Sequence, residues 1–175
     1  MAQARGRRPA DASRTQANAI FPGPGHDHAF CADGALARAE AVCAERGARL
    51  TPMRRRVLES LAASHQPLGA YEIIDRLAEG GPRPAPITVY RALDFLLANG
   101  LVHRIESRNA FIACINNHAS GSLVVFLICE RCGAVGEAPA KAVSEALLCA
   151  ATQACFVPKA PVIEITGICA HCRTL

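Results

Sequence analysis

No stretch of the sequence approaches the ~20 consecutive apolar residues that a membrane-spanning helix requires, although 51 % of the residues are hydrophobic. A membrane protein is therefore not expected. Met1 to Pro9 is polar and arginine-rich and has no apolar core of a secretory leader, so a cytoplasmic protein is expected. Internal repeats are absent apart from one short cysteine motif that occurs twice. Charge of neither sign dominates. The 19 Lys and Arg against 15 Asp and Glu leave a net charge of +4, which permits nucleic-acid binding without establishing it. What the chain does have is cysteine. Nine in 175 residues, an odd count, read as thiolate ligands and buried thiols instead of disulfides in an intracellular protein.

The cysteine motif is Cys129-Glu130-Arg131-Cys132 and, later, Cys169-Ala170-His171-Cys172. Each pair follows an apolar run, Val124 to Ile128 and Val162 to Ile168, so each reads as a strand ending in a tight turn that offers two thiolates. Two such knuckles complete the tetrahedral four-sulfur shell of a closed structural zinc site. A thiol oxidoreductase built on Cys129 and Cys132 is the reading from a different class. It leaves the second pair without a role.

Met1 to about Asp33 reads as a disordered tail, rich in Arg, Pro and Gly. His26-Asp27-His28 and Cys31 within it are able to catch a metal, but the reading taken is a solvated tail. Ala35 to Arg46 reads as a helix stopped by Gly47, with Cys43 inward. Thr51-Pro52 starts a second helix, Thr as N-cap and Pro at the first helical position. Its apolar face is Met53, Val57, Leu58 and Leu61, and it carries Arg54, Arg55 and Arg56, open between a solvated face and phosphate contact. A third helix begins at Gly69 and ends at Gly80-Gly81. Pro82, Pro84 and Pro86 then predict an extended turn. A fourth helix over Ile87 to Asn99, with Thr88 as N-cap, stripes Val89, Ala92, Leu93, Leu96 and Leu97 inward. Its polar face bears Tyr90 and Arg91, which suits a DNA major groove as well as it suits water. Leu101 to Glu106 alternates, turns at Ser107-Arg108-Asn109 and returns over Ala110 to Cys114 as a β-hairpin. Three helices and a hairpin make a winged helix-turn-helix, with Arg104 and Arg108 on the wing placed to touch phosphate. Beyond a polar loop the chain changes to strand, knuckle, short strand over Ala134 to Glu137, and a helix over about Ala140 to Ala154. The inner side of that helix is read as Ala142, Val143, Ala146, Leu147 and Ala150, with Cys149 and Cys155 packed as small hydrophobes. The fold class is thus α+β. A tail over 1–33 and a winged-helix DNA-binding domain over 34–121 precede an α/β dimerisation and metal-binding domain over 122–175.

Thr88 to Leu96, the wing, and Cys129-Glu130-Arg131-Cys132-Gly133 together resemble the ferric uptake regulator family, within it the zinc-uptake branch. The resemblance runs from about Ala35 to Cys172. It implies a homodimer that binds double-stranded operator DNA when a sensing metal site near the domain junction is filled, and so represses uptake genes. Iron- and peroxide-sensing relatives carry a His-rich run shortly before the first knuckle, whereas Ser120-Gly121-Ser122-Leu123-Val124 has none. His103, Cys114, His118 and Glu137 resemble instead the His, Cys, His, Glu sensing set of zinc regulators. A shell of two nitrogens, one sulfur and one oxygen suits Zn²⁺. One departure stands: relatives place the second His around Ser122, four residues after His118, so either the loop folds differently or another residue supplies that ligand. The expectation is a zinc-dependent repressor holding about two Zn²⁺ per chain, with no enzymatic activity, no small-molecule substrate and no membrane partner. Tyr90, Arg91 and Thr88 are expected toward bases, and Arg54, Arg55, Arg104 and Arg108 toward phosphate. An iron- or peroxide-responsive regulator is the alternative within the family.

Overall fold

Residues 20–23, 26–114, 123–158 and 162–173 are described by the computed structural model. Helix α1 spans His28–Glu45, so it begins seven residues before the expected start. The signal passed over is Asp27, whose carboxylate accepts the N–H of Ala29 at 2.9 Å and caps the helix in the middle of the expected tail. Helix α2, Pro52–Ala62, starts as expected: the Thr51 hydroxyl accepts from Arg54 N–H, and Pro52 occupies the first turn. Helix α3 covers Ala70–Glu79, and Glu72 reaches back to the N–H of Gly69 at 2.6 Å. Helix α4 covers Pro86–Ala98. Ala85 and not Thr88 is its N-cap. A proline lacks the N–H that a first helical turn leaves unpaired, so Pro86 begins the helix where extended chain was expected.

The four helices bury one core: Val57, Leu58 and Leu61 of α2, Ile73, Ile74 and Leu77 of α3, and Val89, Leu93 and Leu96 of α4, with Ala39 of α1 beneath them. Each fully buried aliphatic side chain contributes roughly 1.5–3 kcal/mol, which sets this stack well above the exposed Arg55–Glu40 ion pair at about 0–1 kcal/mol. Strands β1 (Val102–Ile105) and β2 (Ala110–Ala113) form the antiparallel hairpin, His103 opposite Ile112. Asn109 closes the turn in the left-handed conformation, φ 46°. Leu68 pairs with Phe111 as a one-residue third strand, tying the turn before α3 to the wing.

The second sheet has the order β4-β3-β5: β3 Val124–Cys129, β4 Val135–Pro139 antiparallel to it, β5 Val162–Gly167 parallel. Helix α5 (Lys141–Gln153) makes the crossover, and a last turn, α6 (Ala170–Arg173), carries Cys172. Val124, Phe126 and Ile128 alternate onto the sheet face that packs against Ile105 and Ile112 of the wing. The hairpin and the second sheet therefore share a core. Helix α5 departs from expectation. Val143, Ala146, Leu147 and Ala150 are exposed, as are Cys149 and Cys155, because among the described residues no element covers this face of the helix. The side chain of Ala142 lies outside the described set.

Candidate metal centres and nucleic-acid face

Strand β3 ends on Cys129, and a turn closed by the Gly133 N–H on the Cys129 carbonyl at 3.0 Å brings Cys132 back beside it. Parallel pairing of β5 with β3 sets Cys129 opposite Gly167, so the second knuckle emerges beside the first. Ligand atoms of Cys129, Cys132, Cys169 and Cys172 all lie within 4.8 Å of one another, and the Cys132 and Cys169 sulfurs are 3.9 Å apart. A tetrahedral shell with Zn–S bonds of about 2.3 Å puts sulfurs about 3.8 Å apart, so the cluster fits zinc. Backbone N–H groups of Cys132 and Cys169 lower the Cys129 thiol to about 6. Burial, then the neighbouring thiols, pushes Cys172 up to about 12. Cys129 is fully buried and Cys132 partly so, and the second knuckle converges on the first, an arrangement that an oxidoreductase built on one pair does not use.

His103 from β1, Cys114 just past β2 and Glu137 from β4 converge to within 4.8 Å of one another. The register explains this. His103 points from the wing onto the Phe126 ring, at 5.2 Å between centroids, and Phe126 lies opposite Glu137 in the β3–β4 ladder. Glu137 is buried, with His103 Nε2 at 3.8 Å from its carboxylate. An imidazole, a thiol and a carboxylate gathered in an apolar junction suit a borderline divalent cation, which neutralises groups otherwise costly to bury. His118 lies outside the described residues. Sequence reasoning passed over Arg38 of α1, whose guanidinium donates to Cys114 Sγ at 3.1 Å and to the Gly100 carbonyl at 2.7 Å. It also passed over Glu164 of β5, which accepts the N–H groups of Glu106 and Ser107 at 2.6 and 3.2 Å and so fastens the wing turn to the second sheet.

On α4, Thr88, Tyr90 and Arg91 are exposed together on the polar face. Arg104 is exposed on the wing, held by Asn109 and Glu106 at 2.9 and 3.3 Å. Arg108 turns toward the first knuckle, donating to the Gly133 carbonyl at 3.5 Å. In α2, Arg54 stacks on Phe95 with its guanidinium 3.4 Å from the ring centroid, and Arg55 pairs with Glu40. Arg56 is bound to the Leu77 carbonyl at 2.6 Å, a structural use. Tyr71, exposed at the start of α3, borders with Tyr90 and Arg104 a cleft of about 290 Å³ between α3, α4 and the wing. As one isolated aromatic, Tyr71 gave no sequence signal.

Residues 45–158 match the Ferric uptake regulator family. The chain is 42 % identical over 137 residues to the zinc uptake regulation protein of Escherichia coli (strain K12), covering 78 % of this chain and 80 % of that one. A zinc uptake regulator solved in complex with zinc and DNA superposes with a TM-score of 0.77 at 40 % identity, over 82 % of this chain and 95 % of that one. The crystal structure of holo XcZur superposes at 0.75 and 42 % identity, over 85 % of this chain and all of that one. With a winged helix, a four-cysteine cluster and this extent of likeness, the chain belongs to the ferric uptake regulator family.

Proposed function

We propose that the protein is a zinc-responsive transcriptional repressor that binds operator DNA as a homodimer in the cytoplasm and turns down zinc uptake genes. The observation that carries this reading is the convergence of His103 and Cys114 from the wing with Glu137 from the second sheet. These three residues, with a fourth donor for which His118 is our candidate, would hold the sensing ion. When bound, zinc supplies charge compensation and a fixed N, S and O geometry. The residues do the rest. His103 and Cys114 set the position of the wing, and Glu137 sets that of β4. A filled site thereby holds the wing and α4 at one angle to the dimerising sheet. DNA selects that angle, so by linkage the operator complex binds the ion more tightly than the free protein. The thiol of Cys114 favours zinc over iron, for which an all N/O shell is the better match. Cys129, Cys132, Cys169 and Cys172 would hold the second, structural ion and support the fold. On the operator Thr88, Tyr90 and Arg91 would contact bases and Arg54, Arg55, Arg104 and Arg108 phosphate, Arg55 on leaving Glu40 and Arg108 on leaving the Gly133 carbonyl. The family is one of transcription regulators, and the reading requires no catalytic residue.

The test is a gel shift on a palindromic operator with protein retaining only its four-thiolate zinc, with zinc-replenished protein, and with Cys114→Ser. Replenishment is expected to tighten binding about tenfold or more, and Cys114→Ser to lose that response while keeping its circular dichroism. Equal binding by stripped and replenished wild type would overturn the reading.

A further inference from the structure

Outside these two clusters the chain assembles a third set of donors. His26, His28, Cys31 and His65 place their ligand atoms within 4.8 Å of one another. His28 and Cys31 stand one turn apart on the first turn of α1, and His26 lies just before its cap. His65 comes from the turn after α2 and is only 9 % exposed. Cys31 Sγ is 2.8 Å from His26 Nε2 and 3.7 Å from His65 Nε2, separations that bracket the about 3.5 Å of an N,S pair on tetrahedral zinc. The three imidazoles meet at 5.0–5.5 Å between ring centroids.

Packing alone does not account for this gathering. His28 Nδ1 is buried without a hydrogen-bond partner among the described residues, a state that costs about 1–3 kcal/mol when left unsatisfied. The neighbouring carboxylate, Asp27, is engaged as the helix cap. Three imidazoles and one thiol, with no hard oxygen donor among them, fit zinc and disfavour Mg²⁺ and Ca²⁺.

We propose that His26, His28, Cys31 and His65 form a third zinc site, which fastens the N-terminal arm and the first turn of α1 to the turn between α2 and α3. That turn is itself clasped to the second sheet: the His65 carbonyl accepts the N–H of Val135 at 2.9 Å, and Gln66 donates to the Cys132 carbonyl at 2.7 Å. The arm runs the same way. Phe21 packs on the four-cysteine cluster, its carbonyl accepts from His171 at 3.1 Å, and the Ile20 carbonyl lies so close to β4 that a Cβ on Gly136 would clash with it. Filling the site ties arm, winged helix and sheet at one place. The donors are distinct from those of the sensing cluster, so the site stands whether or not the repressor reading does.

Full-length protein is equilibrated with excess zinc, desalted and analysed for metal per chain, alongside His28→Ala and the near-isosteric Cys31→Ser. Each variant is expected to hold one equivalent fewer than wild type with unchanged circular dichroism. In a Cys114→Ser background, where Cys31 is the remaining thiol outside the four-cysteine cluster among the three donor groups, cobalt is expected to give a single-thiolate charge-transfer band that Cys31→Ser abolishes. Zinc is also expected to slow amide exchange over residues 32–36 in wild type and not in His28→Ala. Equal zinc content in wild type and both variants, or a cobalt band that survives Cys31→Ser, would overturn the site. Loss of the gel-shift response in Cys114→Ser alone bears on the sensing cluster and not on this one.

Discussion

At the scale of single residues, the proposed operator contacts divide in two: the polar face of α4 would read bases and the wing would grip phosphate. Arg91 is exposed on α4, and an arginine seated on a guanine edge is worth about 1–3 kcal/mol of discrimination. Arg91→Ala is expected to relax base preference at one position of each half-site, read by selection of binding sites from random duplexes. Arg104→Ala, on the wing, is expected to weaken every sequence alike and to reduce the salt slope by about 1. The thiols make a second prediction. Cys129 is held low, to about 6, and is ionised at neutral pH, whereas Cys172 near 12 and Cys132, also raised, keep their protons in the metal-free cluster. Zinc loading near pH 7.5 should therefore release about two protons or more per ion. Below about pH 6 Cys129 too is protonated in the metal-free cluster, so each zinc must then displace a further proton and apparent affinity falls more steeply. Indicator titration in weak buffer measures the release; fewer than one proton per zinc would contradict the four-thiolate assignment.

At the scale of elements, α5 and β5 are incomplete in one chain. Leu148 is 51 % exposed, Phe156 65 % and Val157 82 %, with Val143, Leu147, Val162 and Ile165 exposed beside them. β5 sits at the edge of its sheet, with β3 on one side. An apolar helix next to an open strand edge is what a stable monomer avoids and a dimer covers. Leu148→Asp is expected to shift sedimentation from dimer to monomer at micromolar concentration and to abolish binding to a palindrome. A half-site alone would be bound no more weakly than by wild-type monomer.

At the scale of the whole molecule, the wing is the junction. Ile105 and Ile112 share a core with β3, Glu164 holds the hairpin turn from β5, and His103, Cys114 and Glu137 meet across the same seam. Glu164→Ala removes two backbone anchors without touching a proposed ligand. It is expected to loosen the wing and to weaken zinc-dependent operator binding several-fold, with zinc content unchanged by metal analysis. A drop in bound zinc would instead place Glu164 in the metal shell.

The local signals of this chain were legible without a structure. Thr51-Pro52 starts a helix because a hydroxyl and a missing N–H answer the unpaired groups of a first turn. Val57, Leu61, Ile73 and Leu93 repeat at helical spacing because one face must leave water. Two Cys-x-x-Cys turns announce their own chemistry, since four thiolates at that spacing have few other uses. What lay beyond the sequence were meetings between distant segments. Nothing local says that the His65 turn reaches His28, that Arg38 meets Cys114, that Glu164 receives the wing, or that the apolar side of α5 is left exposed. Those follow from where a parallel β5 and a shared hydrophobic seam bring the backbone. Such placement is a property of packing many side chains at once, and no single stretch of sequence contains it.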